Sequence, residues 1–336
     1  MKILIIGENN TNSLETIYKK NFDLLNCEFV KIQSYLKPKN KFLKKIINFQ
    51  EKYFYLLFCY IQNFFLKKKI LKDEILYDLI IVFNGYHLDK NLISILKEKV
   101  KKKNLINIQT DNIFVKKNIL KKNIKNFGSI YVWSSKLKKQ IIEKYKVNKK
   151  NIYLLYFAFD QLLKFKNKSK HIDNKILFYG SWDKERENFL SKIDFKILKI
   201  FGNGWENANS LFKKKYLIKK ELLGEKLVSE ICKSALCLNL FRSQAKNYIN
   251  MRTFEVLGYG GTLVSEYSSE QKVYFKNFKN IFYFKDVLEI EGVYKKIIAN
   301  KQKIIQYSKI NKEKLIKDSY YMRAKYILEN EKSKIN

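Results

Sequence analysis

The feature that most constrains the fold is an alternation along the chain. Short runs of β-branched and aromatic residues alternate with longer stretches whose polar positions are filled by lysine. This alternation predicts parallel sheets joined by crossover helices, and therefore an α/β class rather than a sandwich or a bundle. The predicted strands are Lys2–Gly7, Glu28–Gln33, Tyr77–Asn84, Leu105–Thr110, Ser129–Trp133, Ile152–Phe157, Lys175–Tyr179, Phe195–Phe201, Ala235–Phe241, Gly261–Ser265 and Asn280–Phe284.

The length of 336 residues exceeds what a single hydrophobic core usually spans, so two domains are expected. Residues 160–174 lose periodicity and are rich in Lys, Asn and Ser, as exposed linkers are. We therefore predict a first domain over residues 1–159, a linker over 160–174 and a second domain over 175–330. The stretch Tyr294–Asn330 has helical spacing, and its last helix is a candidate to cross back to the first domain.

The formal net charge of +36 raises the question of an anionic partner. Four residues are arginine and 64 are lysine, in a chain rich in Ile, Asn, Phe and Tyr, which is typical of AT-rich codons. Two interpretations stay open: lysines spread over solvated helix faces, or a surface that binds an acidic partner. Because 46% of the residues are apolar, the charge does not indicate disorder.

The cysteines and histidines form no recognisable metal or disulfide pattern. The four cysteines include no Cys-x-x-Cys pair, both histidines are isolated, and no Asp-x-Asp occurs anywhere. We expect no metal, no cofactor and a reducing cytoplasm, and the first apolar run is too short for a secretory signal.

The longest apolar stretch, Tyr53–Leu66, is too short to cross a bilayer and is bounded by lysines. It predicts either a core helix or a helix that lies on a membrane surface.

Candidate phosphate-binding residues follow the predicted strands of the second half, because parallel sheets bind ligands outside the carboxyl ends of their strands. Gly180 and Ser181 follow one strand, with Arg186 close to the start of a helix. Glycine lets an anion approach the backbone, and arginine binds phosphate oxygens in a bidentate manner. Gly202 and Gly204 lie at the end of the next strand. They either leave space for a ligand to approach the backbone or form a simple tight turn.

The strongest candidate is CLNLFRSQAKNYINMRTFEVLGYGGTLVSE, a strand, a polar loop, a helix and a second strand. Arg252 and Glu255 share one face of the helix, near an N-terminus that Asn247 or Asn250 could cap. Arginine at a helix N-terminus suits a diphosphate, and the glutamate can accept hydrogen bonds from ribose hydroxyls. The alternative is an internal Arg–Glu ion pair. The segment also contains Lys246 in its polar loop, and Gly260 and Gly261 after its helix.

The segment Arg252-Thr-Phe-Glu255 followed by Gly260–Gly261 resembles the donor-binding element of GT-B glycosyltransferases, particularly the CgeB-like group first named from spore proteins. Further segments resemble that group in the same order, from Lys2 to Tyr283. They are Gly180-Ser-x5-Arg186, Gly202-x-Gly204-Trp205, Tyr77-Asp-Leu-Ile before Asn84–Gly85, Gln109-Thr-Asp111 and Val132-Trp-Ser134.

The resemblance implies two Rossmann-like domains facing across a cleft, with the nucleotide-sugar donor on the second, the acceptor on the first, and no required metal. Many retaining GT-B enzymes carry Glu-x7-Glu, whereas this chain has Asn247 eight positions before Glu255. Inverting and retaining chemistry therefore both stay open.

An inverting transfer needs a base near the acceptor hydroxyl. His87 and Asp111 each follow a predicted strand of the first half and are the candidate catalytic residues, with a core histidine and a helix-capping aspartate as the alternatives. Gly7 and Asn9 follow the first strand and are assigned to the acceptor side. His171 lies in the predicted linker and receives no role.

The resemblance thus implies a metal-independent glycosyltransferase of bacterial surface-glycan synthesis, and the cysteine usage fits a cytoplasmic location. The acceptor would be a saccharide, a lipid-linked oligosaccharide or a protein, with peripheral attachment to an anionic membrane as a secondary hypothesis. Two alternatives are a noncatalytic basic protein that binds nucleic acid, and a degenerate member that binds sugar nucleotides without turnover. Because the aromatic residues fall in strand cores and apolar helix faces, nucleic acid is not expected as a partner.

Overall fold

The computed structural model describes residues 1–35, 41–114, 118–164, 173–242 and 247–334. The chain divides into two compact units. Unit 1 comprises Met1–Tyr156 and Arg323–Asn336, and unit 2 comprises Phe157–Met322. The division falls a few residues before the predicted end of the first domain, and residues 165–172 of the predicted linker, including His171, lie outside the described residues.

Unit 1 contains a six-stranded parallel sheet with the order β2-β1-β3-β4-β5-β6. Every residue of the third strand, LIIVF, is buried, as expected for a parallel strand covered on both faces. The strands are β1 (Lys2–Gly7), β2 (Phe29–Ser34), β3 (Leu79–Phe83), β4 (Leu105–Gln109), β5 (Ser129–Val132) and β6 (Ile152–Leu154). The helices are α1 (Leu14–Leu24), α2 (Lys41–Tyr53), α3 (Tyr55–Leu71), α4 (Lys90–Glu98) and α5 (Ser135–Tyr145).

Unit 2 repeats the architecture with a second six-stranded parallel sheet, of order β12-β11-β10-β7-β8-β9. Its strands are β7 (Ile176–Tyr179), β8 (Leu198–Phe201), β9 (Ile218–Lys219), β10 (Leu236–Asn239), β11 (Leu263–Glu266) and β12 (Ile281–Phe284). Its helices are α6 (Lys184–Leu190), α7 (Ser210–Lys215), α8 (Gly224–Lys233), α9 (Met251–Gly258), α10 (Ser269–Tyr274), α11 (Val287–Ala299) and α12 (Lys301–Lys314). The predicted α/β class with two parallel sheets is therefore confirmed.

The last helix, α13 (Tyr320–Lys332), passes from unit 2 into unit 1. In unit 1 its Glu331 accepts a hydrogen bond of 2.5 Å from the Tyr131 hydroxyl, and the Asn330 amide donates to the same hydroxyl at 2.6 Å. Tyr131 lies in the middle of β5, so these two bonds tie the end of the chain to the first sheet.

The register of the second sheet sets the position of the candidate site. Tyr179, the last residue of β7, pairs with Phe201, the last residue of β8, and β10 pairs with β7 on the other side. Because all three strands are parallel, the loops that follow them emerge at one edge of the sheet.

In the part of the chain that the structure describes, no helix is long and apolar enough to cross a membrane.

Candidate functional site

The loops after β7 and β8 are joined through Gly180 and Gly202. The Gly180 carbonyl accepts a hydrogen bond of 2.9 Å from the indole N–H of Trp205, and the Gly180 N–H donates to the Phe201 carbonyl at 2.8 Å. Gly202 has a φ of +153°, and a Cβ at this position would lie 2.0 Å from the Gly180 oxygen. Only glycine fits such an approach of two backbones. Gly202 therefore shapes the edge of the sheet next to Gly180.

Arg186 lies in the first turn of α6, whose N-terminus is capped by the Asp183 side chain. The Arg186 guanidinium is buried, with 7% of the residue exposed, and it donates to two backbone carbonyls. The bond from Nη1 to the Ser181 oxygen is 2.8 Å long, and the bond from Nη2 to the Leu240 oxygen is 3.1 Å long. The side chain thus connects the loop after β7 to the loop after β10.

Arg252 lies in the first turn of α9, where Asn250, one of the two predicted caps, accepts a hydrogen bond from the Thr253 N–H. Arg252 Nη1 donates to the Asn239 side-chain oxygen at 3.0 Å. The guanidinium carbon lies 4.7 Å from the centroid of the Tyr179 ring, within the range of a cation–π contact. These contacts hold the guanidinium at the end of β7.

The two guanidiniums lie side by side over the backbone of Gly180. A Cβ on Gly180 would be 2.9 Å from Arg252 Nη2 and 3.4 Å from Arg186 Nη1. Both guanidinium carbons also lie within 6 Å of the Phe178 ring, at 5.6 and 5.8 Å. Burial, assisted by the charge of Arg252, lowers the pKa of Arg186 to about 10. Two neighbouring cations disfavour each other, and a bound anion with several oxygens would relieve the repulsion.

Glu255 contacts Tyr179 and not Arg252, the ion-pair partner considered as the alternative. The Tyr179 hydroxyl donates to Glu255 Oε2 at 3.1 Å, and no ion pair joins Glu255 to Arg252 among the described residues. Burial raises the pKa of the Glu255 carboxyl, while the charge of Arg252 and the Tyr179 hydrogen bond act in the opposite direction. Arg252 is therefore left to face Asn239 and the space above Gly180.

Tyr179 and Asn239 were not among the predicted site residues. Each is the last residue of its strand, and Asn239 is fully buried in a network with Asn250, Thr253 and Ser265. A polar residue within the apolar run CLNLF was the sequence signal for Asn239, because a buried amide needs several partners. Tyr179 could have been found as the aromatic residue before a strand-ending glycine.

The other predicted donor residues occupy different positions. Ser181 is exposed and contributes its carbonyl to Arg186, and Gly204, with a φ of +82°, begins a short 3₁₀ turn. Asn247 is exposed with a left-handed φ of +69°, and Lys246 lies outside the described residues.

Gly260 and Gly261 require a correction. They connect the end of α9 to the beginning of β11, so they lie at the amino edge of the sheet, opposite to Gly180 and Gly202. A Cβ on Gly261 would be 2.6 Å from Ile231 Cγ2, which shows that this glycine serves helix packing. The structure does not bring either residue to the arginine pair.

In unit 1, the candidate catalytic residues differ in accessibility. His87 is 9% exposed, and its ring packs edge-on against Tyr35, with centroids 4.1 Å apart, and against Phe58. Burial lowers the pKa of His87 to about 4, so the ring is neutral and weakly basic at pH 7. This placement favours the core-histidine alternative. Asp111 is half-buried just beyond the end of β4.

Gly7 is the last residue of β1 and Asn9 lies just beyond it, at the carboxyl edge of the first sheet. A Cβ on Gly7 would be 2.3 Å from Glu15 Oε1, which accepts a hydrogen bond of 2.8 Å from the Glu8 N–H. Gly7 is thus required by a buried glutamate that the sequence did not reveal, and burial raises the pKa of Glu15. Asn9 is exposed beside this loop.

No cluster of three or more His, Cys, Asp or Glu suited to a metal ion occurs within the described ranges.

Comparison with known proteins gives one family and several similar structures. Residues 184–329 match the family described as Glycosyl transferase-like, and this segment includes Arg186, Arg252 and Glu255. No curated protein sequence matches the chain.

Among solved structures, HepE of Anabaena in complex with UDP aligns with a TM-score of 0.61 and 12% identity over 99% of this chain and 100% of that one. A glycosyltransferase from Rickettsia africae aligns with a TM-score of 0.66 and 11% identity over 100% and 98% of the two chains. BGT of T4 phage, in complex with its UDP-glucose substrate, aligns with a TM-score of 0.57 and 15% identity over the full length of both. These similarities show that the chain has the fold of GT-B glycosyltransferases.

Proposed function

We propose that the protein is a glycosyltransferase that moves a sugar from a nucleotide-sugar, with UDP as the first nucleotide to test, to a saccharide, lipid-linked or protein acceptor. The observation that carries the proposal is the pair of guanidiniums over Gly180. The match of residues 184–329 to a glycosyltransferase-like family supports it, because the match covers both arginines. Structures with the same fold hold UDP or UDP-glucose, which supports this donor class.

The arginine pair suits the chemistry of a nucleoside diphosphate leaving group. When the glycosidic bond of the donor breaks, negative charge develops on the diphosphate, and fixed cations stabilise that charge. Arg186 is held in place by two backbone carbonyls, and Arg252 by Asn239 and the Tyr179 ring. Little reorganisation is needed when the charge appears. We propose metal-independent transfer on this basis and because the sequence has no Asp-x-Asp pair.

Glu255 has a separate proposed role in binding the ribose. Its Oε2 already accepts a hydrogen bond from the Tyr179 hydroxyl, and a carboxylate has further lone pairs that can accept from ribose hydroxyls. Because Glu255 and Arg252 lie one turn apart on α9, a ribose and a diphosphate could be bound by the same helix.

On the acceptor side, we propose Asp111 as the general base if the transfer inverts the configuration at the anomeric carbon. Asp111 is half-buried at the carboxyl edge of the first sheet, whereas His87 is enclosed by aromatic rings and has a pKa of about 4. A base must reach the acceptor hydroxyl, and of the two side chains only that of Asp111 is partly accessible outside an aromatic enclosure. The CgeB-like group, bacterial surface-glycan synthesis and a cytoplasmic location belong to the same proposal.

The test is donor turnover. Purified protein is incubated with UDP-sugars and GDP-sugars and with lipid and saccharide extracts, and release of the nucleoside diphosphate is measured. We expect release with one nucleotide class and a loss of at least about 100-fold in Arg252→Ala, because an interaction with a developing charge is removed. Arg252→Lys should recover only part of the activity, since it keeps the charge and loses the planar fork.

A matched control is Lys295→Ala, which removes one positive charge from the exposed face of α11 in the same unit. It should turn over normally. Nucleotide binding without turnover on any acceptor would instead identify a degenerate sugar-nucleotide-binding protein. Failure to bind any nucleotide, together with salt-sensitive RNA binding, would identify the basic nucleic-acid-binding alternative.

A further inference from the structure

The first two helices after β2 expose an unusual number of large apolar side chains. Of the 27 large apolar residues that are exposed in the described part of the chain, twelve lie between Phe42 and Leu71, on α2, α3 and the residue between them. We call these residues the apolar hairpin surface: Phe42, Leu43, Ile46, Phe49, Tyr53, Phe54, Leu56, Leu57, Tyr60, Phe64, Phe65 and Leu71. Contiguous apolar patches of this kind mark sites of interaction with a partner or a membrane.

Both sides of α3 carry apolar residues. The side that faces the protein buries Cys59, Leu66 and Ile70 together with the polar Gln62 and Asn63. On the outer side Leu56 and Tyr60 are 73% and 67% exposed. Asn63 is fixed by hydrogen bonds, since its amide donates to the His87 carbonyl at 2.7 Å and its oxygen accepts from the Asp89 N–H at 3.4 Å. These polar contacts and the buried apolar residues fix the orientation of α3, and they leave a second apolar side facing outward.

Lysines surround the apolar hairpin surface. Between residues 41 and 72 the sequence has eight lysines and one acidic residue, Glu51. Lys67, Lys68 and Lys72 are exposed at the end of α3, and the Lys68 ammonium lies 4.6 Å from the centroid of the Phe64 ring. Aromatic and leucine side chains next to a group of lysines are the composition of helices that lie in the interface of an anionic bilayer.

We propose that the apolar hairpin surface docks on an anionic lipid membrane, with its leucine and aromatic side chains entering the headgroup region and its lysines contacting lipid phosphates. The positive charge of this surface favours an anionic membrane over a second copy of the chain as the binding partner. A symmetric dimer through this surface would bring the same lysines of two strongly basic chains together, which is unfavourable. An anionic leaflet instead attracts each lysine that comes near it.

The docking surface lies beside the candidate acceptor edge of unit 1. The Asn63 contacts, together with a 3.3 Å bond from the Tyr55 hydroxyl to the Tyr86 carbonyl, attach α3 to the loop after β3. The proposed docking is independent of the proposed transfer reaction. What docking implies about the acceptor rests on that proposed function. With α3 on the membrane, the carboxyl edge of the first sheet is held near the lipid headgroups, which favours an acceptor attached to a lipid.

The experiment is sedimentation of the full-length protein with vesicles at physiological salt. Vesicles of phosphatidylglycerol mixed with phosphatidylcholine are compared with vesicles of phosphatidylcholine alone. We expect the protein to pellet with the anionic vesicles. The double variant Leu56→Ser with Tyr60→Ser should partition at least about tenfold less, since two exposed apolar side chains no longer enter the interface. Lys67→Gln with Lys68→Gln should also weaken the partition and reduce its dependence on salt.

The control is Leu288→Ser with Leu211→Ser, which removes two equally exposed leucines from α11 and α7 of unit 2. It should sediment like the wild type. Absence of binding to anionic vesicles, or equal binding by the Leu56/Tyr60 variant, overturns the proposal. A solution dimer that dissociates in the Leu56/Tyr60 variant also overturns it, because the surface then binds a second copy. UDP binding measured on the same variants should be unchanged, so this result is separable from failure of the proposed transfer.

Discussion

Gly180→Ala tests whether the space under the two guanidiniums is needed for nucleotide binding. The added methyl group would lie 2.9 Å from Arg252 Nη2 and 3.4 Å from Arg186 Nη1. Gly180 does not have a left-handed φ, so alanine is compatible with the backbone, and the closest atom is the end of a flexible side chain. We expect Arg252 to move by a few tenths of an ångström or more, at a cost of about 1 kcal/mol in stability, the low end for an added methyl group.

The cost to binding should be larger than the cost to folding. A displaced guanidinium loses charge-assisted hydrogen bonds to the diphosphate, which are worth about 1.5–3 kcal/mol, or roughly ten- to a hundredfold in Kd. Calorimetric titration with UDP measures the affinity, and thermal unfolding measures the stability. A matched control is Gly292→Ala in α11, where a Cβ meets nothing within 4 Å, so UDP affinity should not change. Unchanged UDP affinity in Gly180→Ala would refute the placement of the phosphates over Gly180.

Two further predictions concern stability. Gly202→Ala places a methyl group 2.0 Å from the Gly180 carbonyl oxygen at a φ of +153°. Because that oxygen belongs to the backbone and cannot rotate away, we expect a loss of at least about 3 kcal/mol in urea unfolding. If Gly202→Ala were about as stable as the wild type, the two loops would not approach each other this closely. His87 has its pKa lowered from 6.5 to about 4 by burial, so the unfolded chain binds a proton at a higher pH than the folded chain does. Stability should therefore fall as the pH decreases from about 6.5 to about 4, by up to about 3 kcal/mol, and His87→Phe should flatten this part of the curve in urea unfolding measured against pH. An equal slope in the wild type and the variant would contradict the burial of a neutral ring.

Most of the fold could be predicted from the sequence because parallel strands buried on both faces appear as continuous apolar runs. All eleven predicted strands overlap strands of the structure. The strand that was missed, Ile218–Lys219, has two residues at the edge of the sheet, where neither periodicity nor burial leaves a pattern.

The site was predictable only in part, since sequence order does not give distances. Arg186 and Arg252 were found from their positions after predicted strands and near helix starts, but their common position over Gly180 depends on strand order in the sheet. Gly260 and Gly261 precede a strand rather than follow one, and that order alone places them at the opposite edge. Their assignment to the donor came from the resemblance rather than from the direction of β11.

The stretch Tyr53–Leu66 left two alternatives open, and the structure shows why hydropathy did not decide between them. Both sides of α3 carry apolar residues, and the polar Gln62 and Asn63 are on the buried side. The packing of Asn63 against the loop after β3, with the burial of Leu66 and Ile70, shows which side faces outward.

The central claim is that unit 2 binds a nucleoside diphosphate through the pair Arg186 and Arg252. The most direct measurement is calorimetric titration of UDP into the wild type, Arg252→Ala and Lys295→Ala at the same salt concentration. We expect saturable binding to the wild type and to Lys295→Ala, and a loss of at least about tenfold in affinity for Arg252→Ala, since it removes a charged hydrogen-bond donor. Equal affinity in Arg252→Ala and the wild type, or equal weakening in both variants, would contradict the claim, because binding would then follow overall charge rather than this site.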